Sequence, residues 1–428
     1  MEFPDVTGEL WFPRGATSTK PVPAEHAPVG FASFEVPLPW STIVMLWPTG
    51  GLPDLQGLQR WAELDDLWGD ITCLRTATSL DWTSGPLGPI GMMDCGRDGI
   101  WRVEILPFDH DGHGRRLSEH IGRNPYVAQG GFQWEGRDTL LFWRDLGAWP
   151  NAADLLESLI KSEKLDEARI LIEECGRALG RFHSSTLEIS DNTKVAKRWN
   201  ERLKILEDRT KSSTLWRAPH GRRTVGTLTH RNFSLSNIVV LNDIHSKPNP
   251  EDVHILFPGD GVYGALIPLE HRAPALQDLA AGYRSIERIE NGTSGMRIEL
   301  RRCFLDGWRS TAPPAWVSND SLDSHKGGVP IWEYEQALKE VLYARAFDNE
   351  IDSRTRWFLA HVDRIQAGMF RARTIAAGAL TCTALLGFGI YAGVTGLLQW
   401  NDALPLMLCG LAVPPLRRLY RSLAPPPY

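Results

Sequence analysis

The sequence predicts an α+β fold in two lobes, β-rich first and helical second, followed by a C-terminal membrane span or hairpin. Three observations carry this. Alternating apolar runs between Pro- and Gly-rich stretches fill residues 1–143, helical periodicity takes over after Pro150, and Thr374–Leu398 carries no charge. Boundaries follow at 1–143, 144–370 and 371–428.

In the first lobe, Thr42–Trp47, Asp70–Arg75 and Gly99–Leu106 read as strands. In the last of these, Trp101, Val103 and Ile105 alternate with polar residues. Trp134–Trp143 reads as a strand pair around Glu-Gly-Arg-Asp, ending in a connector at Arg144–Trp149. Asp109-His-Asp-Gly-His113 is metal-binding in type. Without a second ligand cluster it reads as a solvated loop.

Asn151 is placed to cap a helix from Ala152 to Ile160. Ala168, Leu171, Cys175, Ala178 and Phe182 recur at helical spacing, one stripe of a long helix ending at His183. Val253–Phe257 and Val262–Leu269 read as strands joined by Pro-Gly-Asp-Gly, with Asp260 in the turn. Asp278–Phe370 is mainly helical, broken near Thr311–Pro330.

Thr374–Leu398 is 25 residues long. As a helix it reaches roughly 37 Å, more than the roughly 30 Å of a hydrocarbon core. Ala403–Leu416 is shorter, contains Pro405, Pro414 and Pro415, and either returns across the bilayer or lies re-entrant. Arg371 and Arg373 precede the first segment, and Arg417, Arg418 and Arg421 follow the second. Both outer ends are therefore expected on the cytoplasmic side, with Asn401-Asp402 in the turn outside. Gly389 and Gly393 have the small-xxx-small spacing of packed membrane helices.

The net charge of −6 gives the whole chain no long-range attraction for nucleic acid or acidic lipid. Seventeen Trp read as aromatic anchors of core and interfaces. Six scattered cysteines without a CxxC pair argue against zinc and a disulfide framework, and suit a reducing compartment. The N-terminus has no basic start followed by an apolar run, so no signal peptide is expected. There is no Gly-x4-Gly-Lys-Ser/Thr, no Gly-x-Ser-x-Gly and no His-Glu-x-x-His.

The chemistry-bearing stretch is Leu228-Thr-His-Arg-Asn-Phe-Ser-Leu-Ser-Asn-Ile-Val-Val240. A kinase catalytic loop has His, an Asp two residues on, an Asn five further, then an apolar strand. His230 and Asn237 keep that spacing, and Asn232 stands where the Asp belongs. An amide accepts no proton as general base.

Together with Gly176-Arg-Ala-Leu-Gly-Arg-Phe-His183 and Leu266–Ala280, this order resembles the aminoglycoside phosphotransferase and choline kinase branch of the protein-kinase-like fold. The resemblance covers about residues 130–290. It implies a bilobal kinase-like fold in which Asn232 holds the base position and Asn237 the metal-binding amide. It also implies that Pro268 falls on the principal metal carboxylate, while Glu270 and Asp278 are structural, Asp278 tying its helix to the loop. The only Lys before Lys161 is Lys20, so the small-lobe lysine is missing. By order, Arg102 with Glu119 as helix partner takes its place. Asp260 is the substitute metal ligand if the register through 253–268 differs.

The reading is a degenerate member of that branch, a pseudokinase anchored to a membrane through 374–416 with its soluble part facing the cytoplasm. It acts as a scaffold for a protein partner in a membrane complex or for a nucleotide, and does not bind nucleic acid. It demands no cofactor, ATP with Mg²⁺ being what the resemblance would bring. Two alternatives stand beside it: an active small-molecule phosphotransferase with displaced residues, and a purely structural subunit of a membrane complex.

Overall fold

The computed structural model describes residues 3–18, 20–23, 26–122, 124–147, 149–187, 195–214, 226–241, 252–267, 272–314, 316–317, 322 and 328–423. The chain opens with a three-stranded antiparallel sheet, β1 (Lys20–Pro21), β2 (Phe31–Leu38) and β3 (Ser41–Pro48). Phe34, Val36, Ile43 and Met45 from this sheet join the same core as the later helices, alongside Trp11 and Phe108.

The second sheet has six strands in the order β4 (Leu67–Gly69), β8 (Gly130–Trp134), β9 (Arg137–Arg144), β7 (Ile100–Ile105), β6 (Pro89–Asp94) and β5 (Ser79–Ser84). One face buries Trp101, Val103, Ile105, Leu140 and Phe142 against the short helices α1 (Leu55–Arg60) and α2 (Thr72–Thr76). The period of two sends Arg102, Glu104, Leu141 and Trp143 to the other face. There Leu141 and Trp143 cluster with Leu106, Ala128, Trp68 and Leu87. Helix α3 (His113–Ile121) lies between β7 and β8 in sequence.

The predicted strand Asp70–Arg75 is a correction: it holds the helix α2, started by Asp70 Oδ1 accepting from Thr72 N at 3.0 Å. The strand pair at Trp134–Trp143 is present. Its turn residues Glu135 and Gly136 have φ of 48° and 79°, the positive values a tight two-residue hairpin needs.

The helical lobe begins as expected, with Asp154 N donating to the capping Asn151 Oδ1 at 2.9 Å before α4 (Ala152–Lys161). The stripe Ala168, Leu171, Cys175, Ala178 and Phe182 is buried along α5 (Leu165–Ser185). Its Gly176 faces α9 (Ser294–Thr311) so closely that a methyl there would lie 2.1 Å from Phe304 O. Helices α6 (Val195–Thr210), α8 (Leu276–Glu287) and α10 (Val329–Ala346) complete the core around that pair. Trp199 and Trp308 sit fully buried in it.

The predicted strand Val262–Leu269 is a second correction: residues 262–266 form helix α7 (Val262–Leu266), and 268–269 lie outside the described residues. Val262 and Leu266, one helical turn apart, are buried, and Tyr263 stacks on Tyr343 of α10 at 4.8 Å. Packing overrides the strand preference of Val and Tyr.

Helix α11 (Ser353–Val394) is continuous through the expected boundary at 371. Its burial changes there: Thr355, Phe358, Val362, Met369 and Ala372 are buried, then almost nothing until Gly389. Helices α12 (Trp400–Leu408) and α13 (Val413–Leu423) fold back along its second half. Among the described residues α11 is the one helix long and apolar enough to cross a membrane. Its most apolar 18-residue window is 11% buried, where a soluble core helix would be mostly covered.

Candidate functional site

The loop is built on buried polar joints. Strands β10 (Gly226–Thr227) and β13 (Ala273–Pro274) pair just before it, β11 (Ile238–Val240) and β12 (Val253–Ile255) just after. Between them, Asp278 at the start of α8 accepts from His230 N at 2.7 Å and Arg231 N at 3.1 Å. His183 Nε2 lies 3.1 Å from the same carboxylate. The indole Trp308 Nε1–H can only donate, and it meets His183 Nδ1 at 2.9 Å, so Nε2 carries the hydrogen given to Asp278. The contact expected of Asp278 is thus present.

His230 points its ring inward, Nε2 donating to Leu256 O at 2.7 Å. Burial keeps this imidazole below its usual pKa, against the pull of Asp278. Asn237 Nδ2 donates to Asn232 O at 2.9 Å, fixing the loop across five residues. Asn232, Asn237 and Asp260 line one cavity of about 440 Å³, together with Pro86 and Leu87 of the β5–β6 turn and with Tyr263, Arg284 and Glu340.

Asp260 is no hairpin turn. It is 2% exposed at the junction of β12 and α7, and its Oδ2 lies 3.0 Å from Arg231 Nη1. The same Arg231 nitrogen reaches Asp111 Oδ1 at 2.7 Å. Burial opposes the Arg231 charge, but the two carboxylates more than offset it and the guanidinium is held protonated. Arg231 has φ of 67°, a left-handed backbone that costs a non-glycine residue about 1–2 kcal/mol. The bridge from Arg231 to the buried Asp260 and the half-buried Asp111 offsets that strain.

The Asp109–His113 motif is a correction too. Asp109 and His113 are each 1% exposed. Asp109 Oδ2 accepts from Gly112 N at 3.2 Å and Asp138 N at 3.0 Å, and His113 Nε2 lies 2.9 Å from Thr229 O. The motif therefore joins the sheet-bearing lobe to the catalytic-type loop from its place at the start of α3. Burial, then the neighbouring Asp138, Asp260 and Asp111, pushes the Asp109 carboxyl up to about 8.

Arg102 and Glu119 do not meet. Arg102 stacks over Trp143 at 5.3 Å, while Glu119 is exposed on α3 and pairs with Arg115 at 2.8 Å. Glu119, two residues on from the buried Leu117, falls roughly 200° around the helix and so on its outer face. Beside Arg102 on the same sheet face, Glu104 is buried and burial raises its carboxyl. Pro268 and Glu270 lie outside the described residues. Arg231 lies between the marked His230 and Asn232, and Asp111 within the Asp109–His113 motif, but nothing in the sequence spacing pairs them with each other or with Asp260.

No family model and no curated protein matches the sequence. Solved structures do match. A glucosamine kinase in complex with glucosamine, ADP and inorganic phosphate superposes with TM-score 0.50 at 13% identity, covering 83% of this chain and 96% of that one. A crystal form of a glucosamine kinase gives 0.49 at 12%, covering 82% and 92%. A Plasmodium vivax ethanolamine kinase gives 0.39 at 8%, covering 71% and 83%. The chain has a kinase-like fold, β-sheet first and mostly helical after, similar to that of small-molecule kinases.

Proposed function

We propose that this chain is a membrane-held pseudokinase, a kinase-like body that binds a partner or a nucleotide without transferring phosphate. Asp260 is the observation that supports it. In kinases Mg²⁺ is held by a carboxylate together with the loop amide, and a lysine on the third strand neutralises phosphate. Here the amide, Asn237, is in place, but the carboxylates sharing its cavity are already neutralised, Asp260 by Arg231 and Glu340 by Arg284. A metal ion would have to displace a guanidinium gripped by two carboxylates in a buried setting, and leave that cation with Asp111 alone of the two. The described residues do not fit Mg²⁺. Strand β7, third from the β5 edge of the sheet, carries Arg102 and Glu104 and no lysine, and Asn232 holds the base position.

The test is phosphate transfer from ATP with Mg²⁺ or Mn²⁺ to glucosamine, ethanolamine and aminoglycosides. We expect none above buffer. Transfer that disappears in Asn237→Ala overturns the reading. One observation favours the alternative of an active phosphotransferase with displaced residues: Asp260 shares its cavity with Asn232 and Asn237. Metal-dependent turnover abolished by Asp260→Asn would establish that alternative.

The membrane part of the proposal rests on the exposed apolar run of α11, whose Leu380, Phe388 and Val394 face outward. Arginines at both outer ends of the hairpin favour a cytoplasmic body.

A further inference from the structure

The second half of α11 and the returning α12 and α13 pair in one antiparallel register. A methyl on Gly393 would lie 3.1 Å from the Trp400 ring, one on Gly389 2.9 Å from Leu406 Cβ, and one on Gly410 2.8 Å from Leu386 Cδ2. At the far end, Gly378 stands opposite Leu416, 3.9 Å by the same measure. Pro405, Pro414 and Pro415 are absorbed by the return arm, which passes through a short 3-10 stretch at Cys409–Ala412. Continued toward the body, this register sets Arg373 level with Arg421, with Arg371, Arg417 and Arg418 within about two turns.

These five arginines come from both ends of a 51-residue stretch whose only acid is Asp402, at the opposite tip. Arg371, Arg417, Arg418 and Arg421 are exposed, and among the described residues none has a carboxylate partner. At the tip, Tyr391 and Trp400 are each 60% exposed, and Asn401 and Asp402 are exposed beside them. From Arg373 to Tyr391 the helix rises roughly 27 Å, close to the roughly 30 Å of a hydrocarbon core. Cations at one border and aromatics with a carboxylate at the other are the marks of two membrane interfaces. A re-entrant hairpin, entering and leaving by one face, would instead leave Asp402 in hydrocarbon.

We propose that residues 371–423 cross the bilayer twice as a paired hairpin, and that the arginine collar at its base binds the phosphates of anionic phospholipids. This rests on the membrane attachment proposed above. The net charge of −6 lies elsewhere in the chain, because the collar itself has no acid within it. Lipid phosphate is the occupant because the collar stands where the apolar surface begins, with Phe370 71% exposed at that level.

The test uses full-length protein in sealed vesicles of phosphatidylcholine, with and without phosphatidylglycerol as minor component. Labelling with a membrane-impermeant maleimide compares V29C, at a site 85% exposed on the body, with N401C at the tip, each against the native protein. We expect N401C to label only from the side opposite V29C. Phosphatidylglycerol retained by the purified protein should be enriched at least about fivefold over phosphatidylcholine. That enrichment should vanish when all five collar arginines become Gln. Labelling of both sites from one side overturns the double crossing, and absent or arginine-independent enrichment overturns the collar. Protein that fails to float with any vesicle sinks the membrane attachment itself, a separate outcome.

Discussion

The Asp278 carboxylate holds the backbone of His230, Oδ2 accepting its N–H at 2.7 Å from a side chain 1% exposed. Oδ1 takes the next N–H, that of Arg231, so two peptide donors and His183 converge on one buried anion. An amide offers a single acceptor and turns an N–H toward the other donor. Asp278→Asn should therefore cost about 2–4 kcal/mol. It should lower the Tm of detergent-solubilised protein and speed proteolysis between β10 and β11. Asp306→Asn, at a half-exposed site, is the control. Equal stability of the two variants would show that the loop is held by something else.

Restoring Asn232→Asp alone should create no phosphotransfer. A base contributes on the order of 10²–10⁴ in rate, but only to an assembled phosphate and metal site. Asp260 would still be held by Arg231. The double change Asn232→Asp with Arg231→Gly frees that carboxylate and relieves the positive φ. Mn²⁺ binding measured by calorimetry should appear only where Arg231 is gone. Tight Mn²⁺ binding by the native protein would contradict the assignment of Arg231 as the standing counter-ion.

The loop was legible because its chemistry lies in contiguous residues: His230, Asn232 and Asn237 are separated only by fixed spacing. Asp278 was legible through its resemblance to a family segment. Arg231 was not, because its partners Asp111 and Asp260 are 120 and 29 residues away and only the folded chain brings them together. The same limit hid the burial of Asp109 and His113, whose polar types suggested a wet loop while the lobe junction closes over them. Val262–Leu266 misled for a different reason: β-branched and aromatic residues signal strand, and stacking of Tyr263 on Tyr343 won. Arg102 and Glu119 were matched by order along the chain, which says nothing about which helix face a side chain takes.

The buried acids at the lobe junction should make stability depend on pH. The Asp109 carboxyl, pushed up by burial and by Asp138, Asp260 and Asp111, stands at about 8, above its unfolded value of 3.8. The folded state then binds the extra proton. The stabilisation is complete below the unfolded value and is lost as pH rises through about 8. Burial lifts Asp138 to about 6, in the same direction. Tm should fall from pH 5 to pH 8, and Asp109→Asn, which keeps an acceptor for Gly112 N and Asp138 N, should reduce that fall without removing the Asp138 share. An unchanged slope would mean that Asp109 is ionised throughout.

Packing of the C-terminal hairpin can be tested inside one short segment. Gly389 faces the return arm, where a methyl would lie 2.9 Å from Leu406 Cβ and 3.1 Å from Ala403 O. Gly387, two residues away on the same helix, has nothing within 4 Å. Valine at either site suffers the same helical cost at χ1, so intrinsic propensity cancels in the comparison. Only Gly389→Val forces the arms apart, an overpacking penalty of about 1–3 kcal/mol. Detergent-solubilised Gly389→Val should lose several degrees of Tm in the transition that exposes the hairpin to protease, while Gly387→Val should match the parent. If both variants behave alike, the arms do not pair through the Gly389–Gly393 face.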